Sequence, residues 1–140
     1  NDDAVHYALS QIYLTKNELQ LALIHIKWAL KIDPSNTHYK LELVNIYSAT
    51  GGYKKAALLL EELIKNDLQN SELYQQASDN WVKANKIKKA IVVLNKLEYN
   101  IGYDPQILLQ KATLSLLIND NKTAPCLKSQ TRGCLFLLQN

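Results

Sequence analysis

Glycine and proline are scarce, four and three in 140 residues, which excludes collagen-like and Gly/Pro-rich disordered chains. Cysteine is scarcer still. Cys126 and Cys134 both lie beyond residue 124, so the body of the chain needs no disulfide framework. No apolar run reaches the roughly 18 residues that a membrane-spanning helix takes, so no membrane insertion is expected. Charge of one sign is also in short supply. The net charge is +3, and with Lys128 and Arg132 set aside residues 1–124 carry only +1. A body so nearly neutral gives no reason to expect nucleic acid or an anionic membrane as partner. The chain starts at Asn1 rather than Met and shows no basic segment followed by an apolar core, so no signal peptide is expected and the compartment stays open. What remains is 47% hydrophobic and 21% charged, the composition of a soluble globular chain sized for one compact domain or one short repeat array.

Internal periodicity decides between those two. Ala22, Ala56, Ala90 and Ala124 recur at intervals of 34 residues. Tyr13, Tyr47 and Trp81 form an aromatic column with the same period, and Ser10, Ser78 and Ala112 a column of small residues in which Val44 is the exception. Asn17, Gly51, Asn85 and Asn119 tolerate a left-handed turn conformation. Ile26, Leu60 and Leu94 follow their alanines by one helical turn. Each unit reads as two helices with a short turn. Leu43, Val44 and Tyr47 share one helical face, Gly51-Gly52 break it, and Ala56, Leu59, Leu60 and Leu63 begin the next stripe. Asp33-Pro34-Ser35-Asn36 and Asp104-Pro105 supply stop and restart signals. No alternating run argues for a strand. The expected fold is all-α.

A 34-residue helix–turn–helix unit of this kind resembles the tetratricopeptide repeat. The first unit matches through Leu9, Ser10, Tyr13, Ala22, Ile26, Ala29 and Pro34, with His6 in place of a large aromatic. The second keeps Leu43, Tyr47, Gly51, Ala56 and Leu60, with Leu68 where proline is expected; the third keeps Tyr74, Ser78, Trp81, Ala90 and Leu94. The fourth is half a match, through Leu108, Ala112 and Ala124. The resemblance implies a right-handed superhelical solenoid of antiparallel helix pairs. Its array covers residues 1–124, as repeats 3–36, 37–70 and 71–104 and a partial 105–124. The wording of Ala90–Glu98 and Ile107–Lys111 is most similar to bacterial arrays, which sets the periplasmic side of a bacterial envelope beside the cytoplasm as expected compartments. Residues 125–140 depart from the pattern. Pro125 and Gly133 interrupt a regular second helix, so this stretch is expected to be an irregular tail or an imperfect capping helix.

Little in the chain carries catalytic chemistry. No Gly-x-Ser-x-Gly, Walker or dinucleotide glycine motif occurs, and no cofactor or metal is expected. The two cysteines have no histidine nearby to complete a zinc site. His6, His25 and His38 are scattered over different helices, and His25 reads as a packed or half-exposed histidine. Glu61 and Glu62 are neighbours pointing about 100° apart on a helix and read as solvated surface. Lys83, Lys86, Lys88, Lys89 and Lys96 lie near Trp81, a weak hint of RNA contact. The stronger reading puts Trp81 in the core column and the lysines on an exposed turn.

The informative surface is the first-helix face opposite the core column. It holds Ala4, Tyr7, Gln11 and Leu14; His38, Leu41, Asn45 and Ser48; Glu72, Gln75, Asp79 and Val82; and Gln106, Leu109, Thr113 and Leu116. In proteins similar to this one such stripes line a concave groove that receives a peptide or helix. Members that grip a C-terminal carboxylate use Lys and Arg there, where this chain has Tyr7, Gln11, Asn45, Gln76, Gln106 and Gln110, of which only Asn45 fits. The resemblance therefore implies a non-enzymatic scaffold that binds a protein segment through amides and apolar pockets, without a carboxylate clamp. The alternative is a self-association module, a homodimer formed through the array end and the apolar tail.

Overall fold

The computed structural model describes the backbone of residues 2–129 and the side chains of residues 2–119. Seven helices follow one another: α1 (Asp3–Thr15), α2 (Leu19–Ile32), α3 (Thr37–Ala49), α4 (Tyr53–Asn66), α5 (Ser71–Lys83), α6 (Ile87–Ile101) and α7 (Pro105–Ser129). There is no strand among the described residues. Each helix packs chiefly on its neighbours in sequence, the arrangement of a solenoid.

The three turns inside the helix pairs are built alike. Asn17, Gly51 and Asn85 take φ of 59°, 79° and 57°. In each, the next residue's N–H reaches back to the aromatic column. Glu18 donates to the Tyr13 carbonyl at 2.8 Å, Gly52 to that of Tyr47 at 2.7 Å, and Lys86 to that of Trp81 at 2.8 Å. Asn17, Gly51 and Asn85 themselves donate to Leu14, Ser48 and Val82, which completes a Schellman closure in each pair. Between pairs, the Asn36 side chain caps α3 by accepting the His38 and Tyr39 amides, and the Asp104 carboxylate accepts the Gln106 amide at the start of α7.

The columns meet where the period places them. Ala22, Ala56 and Ala90 on the second helices are fully buried, and Ser10, Val44 and Ser78 on the first helices are buried with them. Trp81 fills the space between repeats and is 1% exposed. The apolar interior forms one cluster around Ile26, Tyr39 and Ile46 and a larger one around Leu60, Tyr74, Trp81 and Leu94; Tyr47 and Leu59 pack against both. Burial is therefore passed from layer to layer.

The fourth unit departs from the expectation. Asn119 makes no turn, and α7 continues through it and through position 125 to Ser129. In the first three turns the residue two places beyond the left-handed position is a half-buried apolar anchor, Leu19, Tyr53 or Ile87. Its counterpart is Asn121, which supplies no apolar side chain to start a second helix against the first. Without that turn, Ala112 is exposed, unlike Ser10, Val44 and Ser78 in the same column. The backbone of positions 125–129 continues α7. The side chains of Ala124, Pro125 and Cys126, and all of residues 130–140 with Gly133 and Cys134, lie outside the described residues.

Candidate functional site

The predicted groove residues lie on α1, α3, α5 and α7, at matching positions of the 34-residue period. One row is Tyr7, Leu41, Gln75 and Leu109, of which the first three are half-buried and Leu109 is 69% exposed. The next is Gln11, Asn45, Asp79 and Thr113, all exposed. The third is Leu14, Ser48 and Val82, half-buried, and ends at exposed Leu116. His38 and Gln106 stand exposed at the first turns of α3 and α7. The half-buried members are partly committed to packing: Tyr7 and Leu14 lean on the first core cluster, Leu41 and Val82 on the second.

Polar contacts tie several of these side chains in place. Gln11 Nε2 donates to the Tyr7 hydroxyl at 2.8 Å. Ser48 Oγ donates to Asn80 Oδ1 at 2.9 Å, which links α3 to α5, and Asn80 Nδ2 donates to the Gln76 carbonyl. Thr113 Oγ1 turns back on the Leu109 carbonyl. The Tyr7 ring lies 4.9 Å from that of Tyr39, whose hydroxyl donates to Asp3 Oδ2 at 3.1 Å. Burial, and then that hydrogen bond to a carboxylate, push the Tyr39 phenol above its ordinary range.

Gln75 and Gln106 meet in a cavity of about 640 Å³ between α5 and the start of α7, together with Gln110 and Tyr103. A second cavity, of about 700 Å³, lies at the turn end of the second and third units. Lys54, Lys55 and Lys83 line it with Tyr47, Tyr53 and Leu23. Its walls come from α2 to α5, so no single helix face shows it in sequence. Its trace in the sequence was the acid-free stretches 43–60 and 80–97, which hold seven lysines between them.

Three side-chain readings are refined. His25 is half-buried as expected, and its Nδ1 lies 3.0 Å from that of His6, with the Tyr13 ring stacked on it at 5.3 Å. Glu61 is not simply solvated: it accepts the Trp81 indole N–H at 2.7 Å and faces Lys96 at 3.8 Å. A buried indole needs such a partner, which two adjacent surface carboxylates do not reveal in sequence. Lys96 therefore belongs to that pair and not to the exposed lysine turn, and Lys89 Nζ covers the Trp81 ring at 4.4 Å.

No protein-family model and no curated protein matches the chain. Solved structures do. The tetratricopeptide-repeat domain of Sgt2 from Aspergillus fumigatus superposes with a TM-score of 0.63 at 22% identity, covering 87% of this chain and 82% of that one. The N-terminal domain of stress-induced protein-1 from C. elegans gives 0.66 at 15% identity, with coverage of 81% and 94%. The type III secretion chaperone SycD from Yersinia enterocolitica, in complex with a peptide of the translocator YopD, gives 0.59 at 15%, with coverage of 87% and 93%. The chain has the tetratricopeptide-repeat fold, an all-α solenoid of helix pairs. The likeness spans a fungus, a nematode and a bacterium and does not single out bacterial arrays.

Proposed function

We propose that this chain is a non-enzymatic protein-interaction scaffold that holds a peptide or helical segment of another protein along α1, α3, α5 and α7. The observation that carries this reading is the set of aligned rows, amide-rich and apolar, with Glu72 and Asp79 as their carboxylates and neither Lys nor Arg. Exposed Gln11, Asn45 and Thr113 offer donors and acceptors to a backbone, while Tyr7, Leu41 and Leu109 offer apolar contact. The SycD neighbour, solved with a bound peptide, supports the same use of the fold. A cation-free groove disfavours a carboxylate clamp, because a peptide's terminal charge would find no partner. The binding unit comprises repeats 3–36, 37–70 and 71–104 and the start of the fourth.

Selection from a random peptide display library on the immobilised protein tests this. Selected peptides should lose affinity at least about tenfold to Asn45→Arg and Thr113→Arg, since a bulky charge desolvates poorly at the contact. Free and amidated C-termini should bind alike. Peptides indifferent to both substitutions would refute the groove, and a strong preference for the free carboxylate would refute the absence of a clamp.

Self-association is the second reading, and both array ends favour it. Tyr39 and Ile46, and Leu73 with Asn80, are buried against a preceding helix, but their counterparts Val5 and Ile12 are 57% and 48% exposed. Leu108, at the other end, is 48% exposed. Light scattering across a concentration series distinguishes a dimer from a monomer.

A further inference from the structure

The antiparallel pairing of helices sorts charge onto opposite edges of the array. Turns inside the pairs lie on one edge and loops between pairs on the other. The loop edge carries Asp2, Asp3, Asp33, Asp67, Glu72 and Asp104 against Lys31 and Lys65, an excess of acid. On the turn edge the first turn holds Lys16 and Glu18, which cancel. The second and third turns hold Lys54, Lys55, Lys83, Lys86, Lys88 and Lys89 without a carboxylate between residues 43 and 60 or between 80 and 97. None of these six lysines is ion-paired among the described residues, whereas Lys40, Lys96 and Lys111 each have a glutamate. Net charge hid this, because +3 is a difference between two separated populations.

The same edge is also concave. Lys54, Lys55 and Lys83 line the cavity of about 700 Å³, and Leu23 adds an aliphatic wall beside Tyr47 and Tyr53. The two tyrosines there are half-buried, and each has a lysine over its ring. Lys55 Nζ lies 5.7 Å from the Tyr47 ring centre, and Lys83 Nζ lies 5.8 Å from that of Tyr53. Trp81, the nearest large aromatic in sequence, is 1% exposed beneath Lys89. Nucleobases would therefore find cations but no fully open aromatic ring, and stacking supplies much of the sequence-tolerant binding of single strands. A carboxylate-bearing peptide needs no such platform. Its side chains can meet the lysines while an aliphatic residue enters beside Leu23.

We infer that the turn edge of the second and third repeats is a second docking surface, separate from the groove, that takes an acidic protein segment carrying an aliphatic residue among its Asp and Glu side chains. Charge complementarity sets its orientation, because the acidic loop edge repels the same segment.

The test uses a fluorescent peptide of glutamates around one leucine, followed by anisotropy on the full chain. Binding should weaken as salt rises. Lys55→Glu/Lys83→Glu should weaken it about tenfold or more, whereas Lys31→Glu/Lys65→Glu on other exposed sites should change it by less than about threefold. Melting curves confirm that each variant is folded; Lys55→Arg/Lys83→Arg, which keeps the charge, should bind like the parent. Replacing the peptide's leucine by serine should weaken binding. The inference is overturned by an absence of binding, by equal losses in the two charge-reversed pairs, by a serine peptide that binds as well, or by a labelled oligouridine that binds more tightly than the peptide.

Discussion

Ser78 sits in the small-residue column of α5, 1% exposed, and its hydroxyl oxygen has no hydrogen-bond partner. Ser10 on α1 is in the same position, fully buried and equally unpartnered. The 34-residue column holds small residues at both positions, as a close crossing of paired helices requires. The hydroxyl is tolerated there rather than used. Burying one without a partner costs about 1–3 kcal/mol, and serine is a poorer helix former than alanine by about 0.5 kcal/mol. Replacing Ser78 by Ala removes one oxygen and keeps the Cβ, so the dispersion lost is a few contacts of about 0.1–0.2 kcal/mol each. The net expectation for Ser78→Ala is a gain of about 1–2 kcal/mol. For a chain of this length that raises the melting temperature by about 3–7 °C. Ser10→Ala should do the same, and the two should add, because they lie two repeats apart. Ser115, exposed and bonded to the Lys111 carbonyl, is the control and should move little. Differential scanning calorimetry of the three single variants and the double gives the comparison. A loss of stability in both Ser10→Ala and Ser78→Ala would show that the hydroxyls are satisfied, and the reasoning would fail.

Two further outcomes follow from the same structure. Ala90 is fully buried, so Ala90→Leu should overpack the α5–α6 crossing and cost about 1–3 kcal/mol in urea denaturation, whereas Val92→Leu, at a position 51% exposed on the same helix, should be near neutral. The Tyr39 phenol, held above its ordinary 10.0 by burial and by Asp3, stabilises the fold fully below that value; this contribution is lost as pH rises through the raised value, because only the unfolded chain ionises early. Stability measured from neutral pH upward should fall beyond about pH 10 in the parent and fall less steeply in Tyr39→Phe, and parallel curves would count against the burial argument.

How far the sequence reaches can be judged residue by residue. The 34-residue columns are a direct record of packing: a close helix crossing accepts only a small side chain, and Ala22, Ala56 and Ala90 are fully buried. The turns are equally legible, since a left-handed residue must recur wherever a helix pair closes, and Asn17, Gly51 and Asn85 do. Asn119 shows the limit of that logic. Asparagine permits a left-handed turn but does not compel one, and the deciding feature was the missing anchor at Asn121. Periodicity also says which residues share a first-helix face, because a face follows from helical spacing alone.

Tertiary structure decided what spacing cannot carry, which is the meeting of residues from different repeats. Glu61 was placed under Trp81, His6 against His25, and Gln75 beside Gln106. It also decided the electrostatics. A nearly neutral chain became an array with one cationic and one acidic edge, because antiparallel helix pairing gathers alternate connections at opposite ends, and linear charge counting averages over both.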